Sequence, residues 1–309
     1  MATKKVSSIT IVGVGQVGGA VAYALILRSA CDELLLVDND VEQGYGQARD
    51  LSDAAYSSGS KTRVRLVSHR EGSQSDIIVI AAASKHPMGE TRLEHTHHNI
   101  SIMRSIIDEM SPLRPDTVLL VISQPVDLLT SVALKLSKLP HNQVLGAGTY
   151  LESARLRGMV ADKAHVSANS IDMYVLGVQG PQQVTAWSSA TVGGVPLDKA
   201  LPAGTIDKDK IATESAERSH KILLAKGSMP FGVGSVIASV CTSVLNDERK
   251  VRPISYYEAD FGCCFSRLAA IGRQGVAASL PTALSESEMG QMVESAEGLA
   301  DTLSRINDL

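Results

Sequence analysis

A chain of 309 residues, 44% hydrophobic and 20% charged, has ordinary globular composition and is long enough for two lobes or two domains. A net charge of −4 and an aromatic content of 4% argue against the basic face and stacking platforms of a nucleic-acid binder. No run of about 18 apolar residues occurs, so no membrane span is expected.

The opening residues Met1-Ala2-Thr3-Lys4-Lys5 lead straight into a strand without a signal-peptide core. The cysteines, Cys31, Cys241, Cys263 and Cys264, include no Cys-x-x-Cys pair. They read as buried reduced thiols of a cytoplasmic protein, with no metal site.

In chain order, Ser8–Val12 reads as a strand ending at glycine, and residues from Gln16 to about Arg28 as a helix. Glu33–Val37, Arg63–Val67, Asp76–Ala82 and Thr117–Ser123 read as further strands. Helical stretches lie between them, including about Glu90–Met110. Strands alternating with helices give βαβ units and a parallel sheet. The second half is less regular. It has a strand-like run at Met173–Leu176 and a segment Ala186–Val195. Helices are expected at about Asp207–Lys226, Val233–Leu245 and Ser285–Arg305. A boundary near Gly146 divides the chain into residues 1–145 and 146–309.

The run Gly13-Val14-Gly15-Gln16-Val17-Gly18 is G-x-G-x-x-G between a strand and a helix. Gly13 makes a tight turn, Gly15 admits a pyrophosphate close to the backbone, and Gly18 lets helix pack on strand. Asp38 ends the next strand about twenty residues on, where a carboxylate holds the adenosine ribose. That carboxylate would repel a 2′-phosphate, so the expected cofactor is NAD.

Further motifs follow in order. Ala81-Ala82-Ala83 leads to Met88-Gly89-Glu90-Thr91-Arg92. Next come Ser123-Gln124-Pro125-Val126-Asp127 and Gly148-Thr149-Tyr150-Leu151-Glu152-Ser153-Ala154-Arg155. Gln179-Gly180 precedes Trp187-Ser188-Ser189-Ala190-Thr191-Val192-Gly193-Gly194. From about Ser8 to Leu303, the chain resembles the L-lactate/malate dehydrogenase family. The resemblance implies a Rossmann-type doubly wound parallel sheet (α/β) followed by an α+β substrate domain. It also implies a homo-oligomer, a dimer or tetramer, acting on a small carboxylate-bearing molecule. Cofactor contacts are implied for Gly13, Gly15, Gln16, Val17, Gly18, Asp38, Ala82, Ala83, Ile122 and Gln124.

Within that resemblance, Arg92 is the lid arginine that polarises the substrate carbonyl, and Arg155 is the two-pronged clamp for its carboxylate. Gln124 stands where the family usually has an asparagine touching substrate and cofactor. Glu152 stands where an aspartate orients the catalytic histidine, and Gln179 stands where that histidine belongs. An amide does not titrate near neutral pH, so the proton-transfer group is missing. All three departures keep hydrogen-bonding ability. The expected arrangement is a Gln179 amide N–H given to Glu152, with the amide oxygen turned to substrate. Read without the family, Glu152 and Arg155 three residues apart on a helix suggest a surface ion pair.

Three functional readings stay open. Another residue supplies the proton, with His86 or Lys85 preferred over His95, His97 and His98. Alternatively, an imino acid substrate dispenses with it. In the third, the protein binds NAD and a ligand without turnover. Lys85 or His86 on the lid is placed to meet an acidic or polar substrate tail, and Met229 to supply an apolar pocket wall.

Overall fold

The computed structural model describes residues 6–84 and 92–307, with the side chains of Arg92 and Asn307 excepted. Lys85, His86 and the other lid residues through Thr91 lie outside the described residues.

The first half alternates as expected. Strands β1 (Ser8–Val12), β2 (Glu33–Val37), β3 (Arg63–Leu66), β4 (Ile77–Ile80), β5 (Val118–Val121) and β6 (Val144–Gly146) pair in parallel. Their order in the sheet is β6-β5-β4-β1-β2-β3, the doubly wound order that reverses direction between β1 and β4. Helices α1 (Gln16–Leu27), α2 (Val41–Ser58), the short α3 (His69–Gly72), α4 (Arg92–Met110) and α5 (Val126–Ser137) make the crossovers. The central strands are apolar without alternation, Ile77–Ile80 and Val118–Val121 being buried throughout. Covering both faces of a parallel sheet requires that.

The second half supplies α6 (Tyr150–Ala164), α7 (Leu197–Ala200), α8 (Lys208–Lys226), α9 (Pro230–Leu245) and α10 (Glu286–Asn307). Of the run expected as a strand over Met173–Leu176, only Val175–Leu176 is strand, and a separate short strand precedes it. Strand β7 (Ile171–Asp172) joins β10 (Thr191–Val192) and β11 (Val195–Pro196) in one small sheet. Strand β8 (Val175–Leu176) joins β9 (Val184–Thr185) in another. Each partner lies beyond the run itself, and the two strands pair with different partners.

A further feature was not anticipated from the pattern. Strands β12 (Lys250–Glu258), β13 (Cys263–Gly272) and β14 (Gly275–Ser279) form an antiparallel meander. Its inner edge joins the parallel sheet where Ser255 pairs with Gly146, giving nine strands among the described residues. The main sheet therefore runs unbroken from the first half into the second. Two apolar cores lie on it. One contains α1, α2 and α9 residues such as Val21, Leu25, Leu51 and Ile237. The other contains α4, α5 and α10 residues such as Met103, Leu129 and Met292. Among the described residues no helix is long and apolar enough to cross a membrane.

Candidate active site

The cofactor cleft opens where the strand order reverses. Gly13 has φ +86°, and a Cβ on it would stand 2.5 Å from the Ala82 backbone. A Cβ on Gly18 would stand 2.0 Å from the Gly13 carbonyl oxygen, so only glycine lets α1 start this close to β1. Gly15, by contrast, has open space where its Cβ would be. It caps α1 without any side-chain hydrogen bond, and the first N–H groups of that helix remain available to an anion.

A cavity of about 360 Å³ here is lined by Gly13, Gly15, Asp38, Ala82 and Ala83, among others. Asp38 is held in place by two main-chain donors. Its Oδ2 accepts from Val14 N at 2.8 Å and its Oδ1 from Asp40 N at 2.9 Å. A carboxylate has about four acceptor sites, so capacity for ribose hydroxyls remains. These residues fit a dinucleotide. The side chains of three of the expected contact residues are engaged outside the cleft. The Gln16 side chain accepts from Ser228 Oγ instead of entering the cleft. Val17 packs against the core, and Ile122 is buried just beyond β5.

Beyond this cleft, three residues from distant parts of the chain form one hydrogen-bonded row. Gln124, just before α5, donates from Nε2 to Gln179 Oε1 at 2.9 Å. Gln179, on the loop after β8, donates from Nε2 to Glu152 Oε1 of α6 at 3.1 Å. The amide does bind Glu152, as the sequence suggested. Its oxygen accepts from Gln124, whose extra methylene brings an amide N–H onto it. Gln124 Oε1 in turn accepts from Val126 N at 3.3 Å. Asn99 fastens the row to the lid base. Its Nδ2 donates to the Gln124 carbonyl at 3.0 Å and its Oδ1 accepts from Ser84 N at 2.9 Å. His95 reaches the same point, with Nε2 3.3 Å from the Ser84 carbonyl oxygen.

Glu152 and Arg155 do not form the surface ion pair that helix spacing alone suggests. Glu152 is 4% exposed, and burial raises its proton affinity; Gln179 and Arg155 oppose the shift. Arg155 instead points to α8. Its Nη1 donates to Ser219 Oγ at 2.7 Å and to the Ser215 carbonyl at 3.3 Å, while Nη2 lies 4.0 Å from Met229 Sδ. Met229 thus does stand beside the guanidinium. Arg155, Met229 and Arg218 line an open groove of about 570 Å³. Burial, and to a lesser degree Arg218, lowers the Arg155 pKa. Arg92 begins α4 at the lid's end, with its side chain outside the described residues.

Asp127 had no role in the sequence reading beyond its place in a motif, yet it touches Gln179. Its Oδ2 accepts from Gln179 N at 2.6 Å. It is 2% exposed, and burial pushes its pKa up to about 7, with Glu152 adding to the shift. The signal available in the sequence was an acid set among Val126, Leu128 and Leu129 in a helix. Its folded-state proton affinity exceeds the ordinary carboxylate value. The stability it contributes is therefore complete below about pH 4 and is lost as pH rises through about 7. In thermal melts Asp127→Asn should exceed the parent at pH 8, and the two should converge toward pH 4. A gap that does not change with pH would contradict the raised proton affinity.

Comparisons with known proteins agree with this layout. Residues 7–146 match the family model described as lactate/malate dehydrogenase, NAD binding domain. Residues 149–309 match the lactate/malate dehydrogenase, alpha/beta C-terminal domain. The chain is 38% identical to L-lactate dehydrogenase A of Rhizopus oryzae, over 95% of this chain and 91% of that protein. It is 35% identical to L-lactate dehydrogenase B of Hordeum vulgare, over 96% and 90%. Among solved structures, a lactate dehydrogenase from a Medee basin deep-sea metagenome library superposes with TM-score 0.92 at 28% identity, over 96% of this chain and 98% of that one. The minor L-lactate dehydrogenase of Enterococcus mundtii gives TM-score 0.90 at 28% identity, over 98% and 99%. The chain belongs to the lactate/malate dehydrogenase family of oxidoreductases and carries that family's NAD-binding domain.

Proposed function

We propose that this protein transfers hydride between NAD(H) and a small carboxylate-bearing 2-oxo or 2-hydroxy acid, through a polar shell in which Gln179 replaces the catalytic histidine. Residues 1–145 hold the cofactor, and residues 146–309 supply Glu152, Arg155 and Gln179. NAD supplies or accepts the hydride when bound. Arg155 grips the substrate carboxylate, Arg92 polarises its carbonyl, and Lys85 or His86 meets the rest of the molecule. The observation that carries this reading is the closed row Gln124–Gln179–Glu152. Three departures from the family pattern are joined to one another by hydrogen bonds, which favours a rebuilt site over unrelated losses.

Gln124 Nε2 and Gln179 Nε2 each keep one N–H beyond the row, a donor that the carbonyl oxygen of a 2-oxo acid can use. The names of the relatives, L-lactate dehydrogenases, point to the same substrate class. A homo-oligomer is part of the proposal. It is supported by apolar side chains left exposed on α1, α2, α8 and α9, including Leu27, Tyr56, Leu224 and Phe231.

A second reading, an NAD- and ligand-binding protein without turnover, draws on one observation: an amide stands at the proton-transfer position. The test is NADH oxidation against a panel of 2-oxo acids and cyclic imino acids, with NADH binding measured alongside. Turnover with at least one 2-oxo acid is expected, about 10²–10⁴ below a histidine-bearing relative, the usual worth of general acid–base catalysis. NADH binding with no turnover across the panel would establish the second reading instead.

A further inference from the structure

Gln179 is held from behind by two buried carboxylates. Asp127 Oδ2 takes its main-chain N–H at 2.6 Å, and Glu152 Oε1 takes its side-chain N–H at 3.1 Å. Each acid keeps a second oxygen, Asp127 Oδ1 and Glu152 Oε2, that is buried and has no hydrogen-bond partner. The Ser255 hydroxyl lies beside Asp127 and lowers its proton affinity, yet neither its Oγ nor Asp127 Oδ1 completes a bond of normal geometry.

A buried anionic oxygen without a donor is costly, and one proton removes the cost. Two such acids in one low-dielectric pocket cannot both ionise readily. Few groups face the pair. From α6 the Arg155 charge reaches Glu152. From β12 comes Ser255, and from β13 come Cys263 and Cys264, whose thiols burial pushes up to about 11 and about 12, with the Asp127 charge adding to the shift. Ser131 on α5 is committed to the Asp127 carbonyl and Cys264 N. None of these contributes a cation to Asp127.

We propose that Asp127 and Glu152 act as one acid pair that shares a single proton behind Gln179, with Asp127 as the positioning residue that anchors the Gln179 main chain. At neutral pH the pair carries one negative charge. As pH rises it releases its proton to solvent and gains a second charge beside the groove where Arg155 awaits an anion. Binding of a carboxylate ligand then weakens. The inference uses the reading of Gln179 as a substrate-facing residue, so the experiment separates the two.

The full chain is measured in two ways. Infrared spectroscopy in D₂O should show the C=O stretch of a protonated carboxylic acid in the parent near pH 7 and its loss in Asp127→Asn. Asn keeps an acceptor for the Gln179 N–H, so the loop should stay in place. In Glu152→Gln the surviving acid should give up its proton at lower pH, since the like charge beside it is gone. Separately, oxamate is titrated into the NADH complex between about pH 6 and pH 9. Its affinity should fall roughly tenfold in the parent and stay within about twofold in Asp127→Asn, the scale of one like charge nearby. An acid band missing from the parent, or unchanged in both variants, overturns the proposal, as does an oxamate slope that survives in Asp127→Asn. If the band behaves as expected and oxamate never binds, the acid pair stands and the substrate reading fails.

Discussion

Gln179→His is expected to raise the reduction of 2-oxo acids by about 10²-fold or more, within the range that general acid–base catalysis contributes. The surroundings are already arranged to receive an imidazole. Glu152 Oε1 now accepts an amide N–H at 3.1 Å and would accept Nδ1–H in the same direction. The ring's other nitrogen would then face the substrate, held in one tautomer by the carboxylate. The neighbouring charge should raise the imidazole pKa, and reduction consumes the protonated form. Activity should therefore fall as pH rises through that pKa, a limb the parent lacks. Two features limit the gain. Glu152 has one methylene more than the usual aspartate, and Gln124 Nε2 loses its acceptor on Gln179. Adding Glu152→Asp and Gln124→Asn should increase the gain further. The measurement is kcat/KM on the 2-oxo acid panel from about pH 5 to 9, with NADH affinity as control. No gain, at unchanged NADH affinity, would show that the missing histidine is not what limits the site.

The parts of this molecule legible from sequence are those where local chemistry has one solution. A turn with φ +86° and an α1 start pressed against the Gly13 carbonyl demand glycine, so Gly13 and Gly18 announce the cleft. Parallel strands buried on both faces must be apolar throughout, so Ile77–Ile80 reads as a strand without reference to partners. The β12–β14 meander is different. Its first strand carries Pro253 and exposed Lys250 and Val251, and it enters the main sheet through Ser255 opposite Gly146, more than a hundred residues away. Nothing within Lys250–Glu258 encodes that partner.

The site divides in the same way. The positions of Gln124, Glu152 and Gln179 follow from motif order, but the order of their hydrogen bonds depends on how three side chains reach across two strand ends and a helix. The bond from Gln179 to Glu152 follows from that pair alone, whereas the donor to the Gln179 oxygen comes from a third residue, Gln124. Asp127 escaped for a related reason: its acceptor role is set by a main-chain N–H that any residue at position 179 would present.

Arg155→Gln should lower kcat/KM for a carboxylate substrate by about 10²–10³, the cost of removing one partner of a desolvated charge pair. The geometry says why the loss should be large. The guanidinium is fixed on one side by Ser219 Oγ at 2.7 Å and the Ser215 carbonyl at 3.3 Å, both taken by Nη1. Its Nε–H and one Nη2–H remain, and together they form the edge that matches a carboxylate with two parallel bonds. An arginine braced in this way loses little freedom when it binds, so more of the interaction appears as affinity. Arg155→Lys keeps the charge and loses the fork, and it should fall between the parent and Arg155→Gln. Ser219→Ala removes the brace without touching the charge and should raise KM more than it lowers kcat. NADH affinity should be unaffected by all three, because the cofactor cleft is lined by other residues. If Arg155→Gln leaves kcat/KM unchanged on every turned-over 2-oxo acid, the carboxylate is held elsewhere. Arg218, in the same groove, is then the residue to replace.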